Sequence, residues 1–205
     1  MKIIITIDPE LKVTQKSVEV ILDRSEVKEP DNKVLPKPGT RFRNKGIEFI
    51  VLGEEQGGIL AITAKTLEHE YPFDKNRCND WRKSSLRKYL NDEYIKNFDT
   101  NDLLMLCSDL TTDSGQKNYG TSEDYIALLS CDLYRKYRDF IPTYDNWIWT
   151  ITPWHIFPGS AHIARLVNTD GSLYHSNAYY STGVAPACLF NPKIFKSTPI
   201  GVSEA

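Results

Sequence analysis

The sequence predicts an α+β domain in which short strands outnumber short helices. Residues 41–64 hold apolar, β-branched runs separated by Asn/Gly turns, the pattern of consecutive hairpins. Residues 84–91 hold one short amphipathic segment behind a serine cap. The composition is 40% hydrophobic and 25% charged, that of an ordinary globular chain. With 205 residues, folding removes roughly 70% of the extended surface from water, enough for a core without metal or disulfide staples.

Taken in order, residues 2–7 (Lys2, then Ile3, Ile4, Ile5, Thr6 and Ile7) read as a strand ended by Asp8 and Pro9. Thr14 is a candidate N-cap for a helix through Arg24, with Val18, Ile21 and Leu22 on one side. The Pro/Gly/Asn-rich stretch 25–39 reads as a linker, so residues 1–35 form a small βα appendage and residues 40–205 the main domain. In that domain, residues 41–43, the turn Asn44-Lys45-Gly46 and residues 47–53 form a hairpin. Gly57-Gly58 turns the chain into a third strand, residues 59–64.

Ser84 caps a helix that buries Leu86, Tyr89 and Leu90, and a second short helix covers residues 92–98. Residues 103–107 suit a strand, residues 111–124 a polar loop, and residues 125–129 a buried strand. Ser130 caps a helix through Lys136. Residues 162–167 form a strand, Asn168-Thr169-Asp170-Gly171 a turn, and residues 183–190 the closing strand. Trp81, Trp147 and Trp149 are expected in the core.

Charge and cysteine usage bound the function. Lys and Arg total 25 and Asp and Glu 27, a net charge of -2, so general nucleic-acid binding through phosphate contacts is not expected. No apolar run approaches the roughly 18 residues of a membrane span. The run at residues 3–7 is shorter than the about 7 apolar residues that a signal-peptide core needs, so a cytoplasmic location is expected. Cys78, Cys107, Cys131 and Cys188 contain no C-x-x-C pair and read as free buried thiols. A zinc ion held by distant Cys and His side chains stays open as the alternative.

Signatures of common catalytic sites are missing. The sequence has no G-x-S-x-G elbow, Walker A loop, H-E-x-x-H or Rossmann glycine run. His155 and His162 are separated by Pro158 and Gly159, which no regular helix would span. Asp99, Asp102 and Asp109 read as caps and turn residues. No catalytic residue, no metal ligand and no cofactor is assigned.

The last third differs from the rest. Residues 147–205 carry five of the chain's charges but nine of its aromatic residues. Within it, Tyr174, His175, Ser176, Asn177, Ala178, Tyr179, Tyr180 and Ser181 hold seven of eight residues from Tyr, Ser, Asn and His. That is the chemistry of adaptable contact loops. Two readings follow: a recognition surface, or a polar hairpin whose tyrosines pack on a neighbouring sheet. Trp154-His155-Ile156-Phe157 carries the same alternatives, a lid on the core or an exposed anchor patch. The binding candidates are therefore Trp154, His155, Tyr174, His175, Asn177, Tyr179 and Tyr180.

The order of blocks resembles a bacterial and phage domain family of uncharacterised function. Its outline is W-x-x-S-x-L-R-x-[WY]-L-N, a hydrophobic strand ending L-S, W-L-R-[ST]-P, N-x-D-G and G-V-R-P-A. Here these are Trp81, Ser84 or Ser85, Leu86, Arg87, Tyr89, Leu90 and Asn91; Ala127-Leu128-Leu129-Ser130; Trp149-Thr150-Ile151-Thr152-Pro153; Asn168-Thr169-Asp170-Gly171; and Gly183-Val184-Ala185-Pro186-Ala187. The match spans roughly residues 40–192. The resemblance implies a C-type-lectin-like α+β fold with a twisted, mainly antiparallel sheet, similar to formylglycine-generating enzymes and retroelement variable proteins. It sets a Tyr/Asn/Ser-rich binding face just before the closing strand. Ile151 and Ala185 replace the family's two arginines. The lectin calcium signatures E-P-N and W-N-D are absent, so calcium is not implied. The function this implies is a non-enzymatic protein-binding module of a phage or mobile element, acting on a host protein as an anti-CRISPR-like inhibitor of host defence. The alternative is a virion- or tail-associated display protein for a host receptor or glycan. An enzyme of the formylglycine-generating type is the third class.

Overall fold

The computed structural model describes residues 35–195. The expected βα appendage lies outside them, except for Leu35. The described chain is α+β, with mostly antiparallel sheets and few helices.

The main sheet begins with two hairpins. β1 (Arg41–Asn44) pairs with β2 (Ile47–Glu55), and β2 with β3 (Gly58–Thr63). Both connections are two-residue turns with positive φ at each position: Lys45 and Gly46 at 48° and 86°, Gln56 and Gly57 at 45° and 80°. This mirror-image turn matches the right-handed strand twist. Gly58 is thus the first residue of β3 rather than part of the turn. A Cβ there would sit 2.7 Å from Leu189 Cγ, so packing excludes any larger residue.

The closing strand, β13 (Ala187–Phe190), lies beside β3 and pairs on its other edge with β5 (Leu103–Leu104) and β8 (Ile126–Ala127). It is shorter than the predicted 183–190. Gly183 instead makes an isolated bridge to Ile148. The predicted strand 103–107 breaks at Met105, and β6 (Leu106–Asp109) leaves to pair with β7 (Thr121–Asp124). β7 corrects the reading of residues 111–124 as loop. Its alternating Thr-Ser-Glu-Asp side chains are polar on both faces, so no apolar period marks the strand; Ser122 and Asp124 are nevertheless buried.

Two serines start the two α-helices of the described residues. Ser84 Oγ accepts from Leu86 N (3.1 Å) and Arg87 N (3.2 Å) at the head of α1 (Ser85–Asp92). Ser130 Oγ accepts from Leu133 N at 3.1 Å at the head of α2 (Cys131–Lys136). α1 buries Leu86 and Leu90, while Tyr89 stays half-buried. The predicted second helix is a single 3-10 turn, Tyr94–Asn97. Asp99 caps the 3-10 turn Thr100–Asp102, and Asp109 Oδ1 accepts from Thr111 N at 2.8 Å, as cap and turn residues do.

A second sheet, β11-β10-β9, is antiparallel: β9 (Ile148–Pro153), β10 (Ile163–Val167) and β11 (Leu173–Asn177). A short pair joins β4 (Tyr71–Pro72) to β12 (Ser181–Thr182). Trp149, on β9, sits 5.8 Å from Phe73, which sits 5.6 Å from Trp81. All three are fully buried, each contributing roughly 1.5–3 kcal/mol by leaving water. Ile151 and Ala185 lie in the same core.

The segment from Trp81 to Asn91 has a structural job. Asp124, 2% exposed, accepts from Trp81 Nε1 (2.9 Å), Ser122 Oγ (2.6 Å) and Arg87 Nε (2.7 Å). Asn91 bonds both backbone groups of Ile126: Nδ2 to the carbonyl at 2.8 Å, Oδ1 from the N–H at 3.1 Å. These residues bind α1 to β7 and β8. Burying a carboxylate is costly unless donors satisfy its oxygens, as these three do.

Candidate contact surface

Six of the seven binding candidates fall into two groups, and the seventh, His155, stacks on Phe157 in the loop of residues 154–162 that runs between them. In the first, Trp154 packs its ring 4.3 Å from His175, and His175 stacks on Tyr174 at 4.8 Å. Tyr174 in turn lies 6.1 Å from Trp147. Arg165, which pairs in register with His175 on the neighbouring strand, places its guanidinium 5.1 Å over the Trp154 ring. Its Nε lies 3.7 Å from Asp113 Oδ1. The cation is thus held between an indole face and a carboxylate, away from most solvent, where such contact is strongest.

In the second cluster, Tyr179 and Tyr180 meet edge to face at 4.7 Å, and Arg77 covers the Tyr179 ring at 4.7 Å. The Tyr180 hydroxyl beside it raises the Tyr179 phenol above its ordinary range, with Arg77 pulling the other way. Pro158 and His162 of the connecting loop border the same Arg77–Tyr179 hollow. Asn177 ends β11 opposite Ile163, and its carbonyl accepts from Tyr180 N at 3.0 Å, closing the turn that presents both tyrosines. Ala178 between them is fully buried and anchors that turn through Asp74 N and His162 O.

The connecting loop is fastened from below. Asn79 is fully buried; its Nδ2 donates to His155 O (2.9 Å) and Ile163 O (2.8 Å), and its Oδ1 accepts from Tyr119 OH (2.9 Å). Ile156 N donates to Gln116 Oε1 at 3.1 Å, and Phe157 N to His155 Nδ1 at 3.0 Å. The loop thus lies partly over the core and partly in solvent. Trp154, His155 and Ile156 are half-buried, while Phe157 is 62% exposed and stacks on His155 at 4.2 Å.

Trp147 is a correction: expected in the core, it is 44% exposed. It directly precedes β9, which starts at Ile148, and so lies outside the buried strand that carries Trp149. Its backbone is still fixed. Gly183 N donates to Trp147 O at 2.8 Å, and a Cβ on Gly183 would meet that same oxygen at 2.8 Å. Sequence reasoning also missed Arg77, Asn79 and Arg165. The only local signal for Arg165 is a lone cation in a strand among apolar residues; Arg77 and Asn79 lie far along the chain from their partners, Tyr179 for the first and Tyr119, His155 and Ile163 for the second, and carry none.

Cys131 and Cys188 are buried, and burial pushes the Cys188 thiol upward. Cys78 is half-buried and Cys107 exposed, which corrects the expectation of four buried thiols. All four are free. Among the described residues, no three His, Cys, Asp or Glu side chains are grouped to hold a metal ion. No described helix is long and apolar enough to cross a membrane.

Comparison with family models, with curated proteins and with solved structures finds no match.

Proposed function

We propose that this chain is a non-enzymatic protein-binding module with a C-type-lectin-like fold, and that its contact surface is the aromatic face of residues 147–180. The observation that carries this reading is the placement of exposed apolar side chains. Of the six large hydrophobic residues that stand exposed among the described residues, Trp147, Phe157, Tyr174 and Tyr180 fall in this one segment. Aromatic rings held on a fastened backbone give large contact area with little entropy to lose. The lectin-like assignment is supported by the convergence of the family-like block on Asp124, and by the position of this face just before closing strand β13.

In this reading the chain belongs to a phage or mobile element and occupies a host protein in the bacterial cytoplasm, as an anti-CRISPR-like inhibitor of host defence. That part rests on the resembled family. It takes no cofactor and no nucleic acid. The test is co-purification of a partner from a bacterial lysate, its identification, and titration of variants against it. Tyr180→Ala and Trp154→Ala are expected to weaken binding by about 2 kcal/mol, roughly thirtyfold. Tyr180→Ala leaves the melting temperature within a degree or so, because that ring is 52% exposed. Full affinity in both variants would refute the assigned surface.

A further inference from the structure

Beside Trp147 lies a cleft of about 310 Å³ whose lining includes Glu70, Asp145, Trp147, Thr169 and Thr182. No Lys, Arg or His lines it. Glu70 and Asp145 are exposed, and among the described residues neither takes part in an ion pair. The other cations of the face are already engaged, Arg165 with Trp154 and Asp113, and Arg77 on Tyr179.

Each wall is held in place by hydrogen bonds. Glu70 directly precedes β4, which pairs with Ser181–Thr182 of β12. Asp145 follows Tyr144, whose buried hydroxyl donates to Thr63 O at 2.8 Å. Trp147 is fixed by Gly183 and flanked by Tyr174.

From this we infer that the cleft is the docking site for one lysine or arginine side chain of the protein partner, seated on the Trp147 ring between Glu70 and Asp145. The charge complementarity decides the occupant. An exposed indole attracts a cation through its negative face, two unpaired carboxylates add Coulomb attraction, and an anion would meet only repulsion. The inference rests on the protein-binding reading, and it fixes the chemistry of one contact.

The probe is the peptide acetyl-Gly-Arg-Gly-amide, with its lysine counterpart, titrated into the full chain. The readout is the Trp147 indole N–H resonance, assigned by its loss in Trp147→Phe. The expected result is a saturable shift of that resonance with both peptides. It should be weakened by added salt, absent with the neutral citrulline peptide, and reduced at least about fivefold in affinity in Glu70→Gln/Asp145→Asn. The remaining indole resonances report that the variant is folded. No shift with either cationic peptide overturns the inference. So does an equal shift with citrulline, unchanged affinity in the double variant, or a shift with N-acetylglucosamine in place of the peptides. Failure here with Trp154→Ala still weakening partner binding removes only this contact. Intact partner binding in Trp154→Ala and Tyr180→Ala removes the wider reading.

Discussion

Trp81→Ala is expected to destabilise the chain by about 3–5 kcal/mol. Two effects add. The indole is fully buried beside Phe73, so truncation leaves a cavity that the surrounding sheet cannot close. It also removes the Nε1–H donor from Asp124, leaving a buried carboxylate with one fewer partner. Trp81→Phe separates them, since it keeps most of the volume and loses only the donor. It should fall well short of the alanine variant. Urea melts of both variants decide this. A loss under about 1 kcal/mol for alanine would contradict the burial described for this side chain.

Asn79→Ala is expected to be the most damaging polar substitution outside that network, at about 2–4 kcal/mol. It strands the carbonyls of His155 and Ile163 and the hydroxyl of Tyr119, all of which now meet one buried amide. Its effect should not stop at stability. The loop carrying Trp154, His155 and Phe157 loses its fastening, so partner affinity falls with it. Asn97→Ala is the control: Asn97 bonds only the nearby Tyr94 carbonyl, on an exposed turn, and its loss should change stability by about 0.5 kcal/mol or less. Thermal melts, with the Trp154 indole resonance as a reporter of loop order, measure both. An unmoved Trp154 resonance in Asn79→Ala would show that the loop holds its shape by other means.

The sequence revealed local features and concealed the convergent ones. Both helix caps, the first hairpin turn and strand β10 were legible because each depends on a few adjacent residues: Ser84 and Ser130 before amphipathic runs, Lys45-Gly46 at positive φ. Strand β7 was not, because its residues are polar and its burial comes from Asp124 meeting Trp81 and Arg87, some forty residues earlier. The Tyr/Ser/Asn-rich segment of residues 174–181 was visible in composition alone. Whether its rings faced water was not, and the answer is mixed: Tyr174 and Tyr180 stand out, while Tyr179 lies half-buried under Arg77. Trp147 was misplaced because its hydrophobicity was legible but its position just before the start of β9 was not.

The most direct test of the aromatic face is site-specific photo-crosslinking in the bacterial cytoplasm. A benzophenone amino acid replaces Tyr174 or Tyr180 in one pair of variants and Phe140 in another; Phe140 is 40% exposed but outside residues 147–180. The account predicts one discrete protein adduct, the same from Tyr174 and Tyr180, and none from Phe140. A discrete adduct from Phe140 with none from either tyrosine would contradict it.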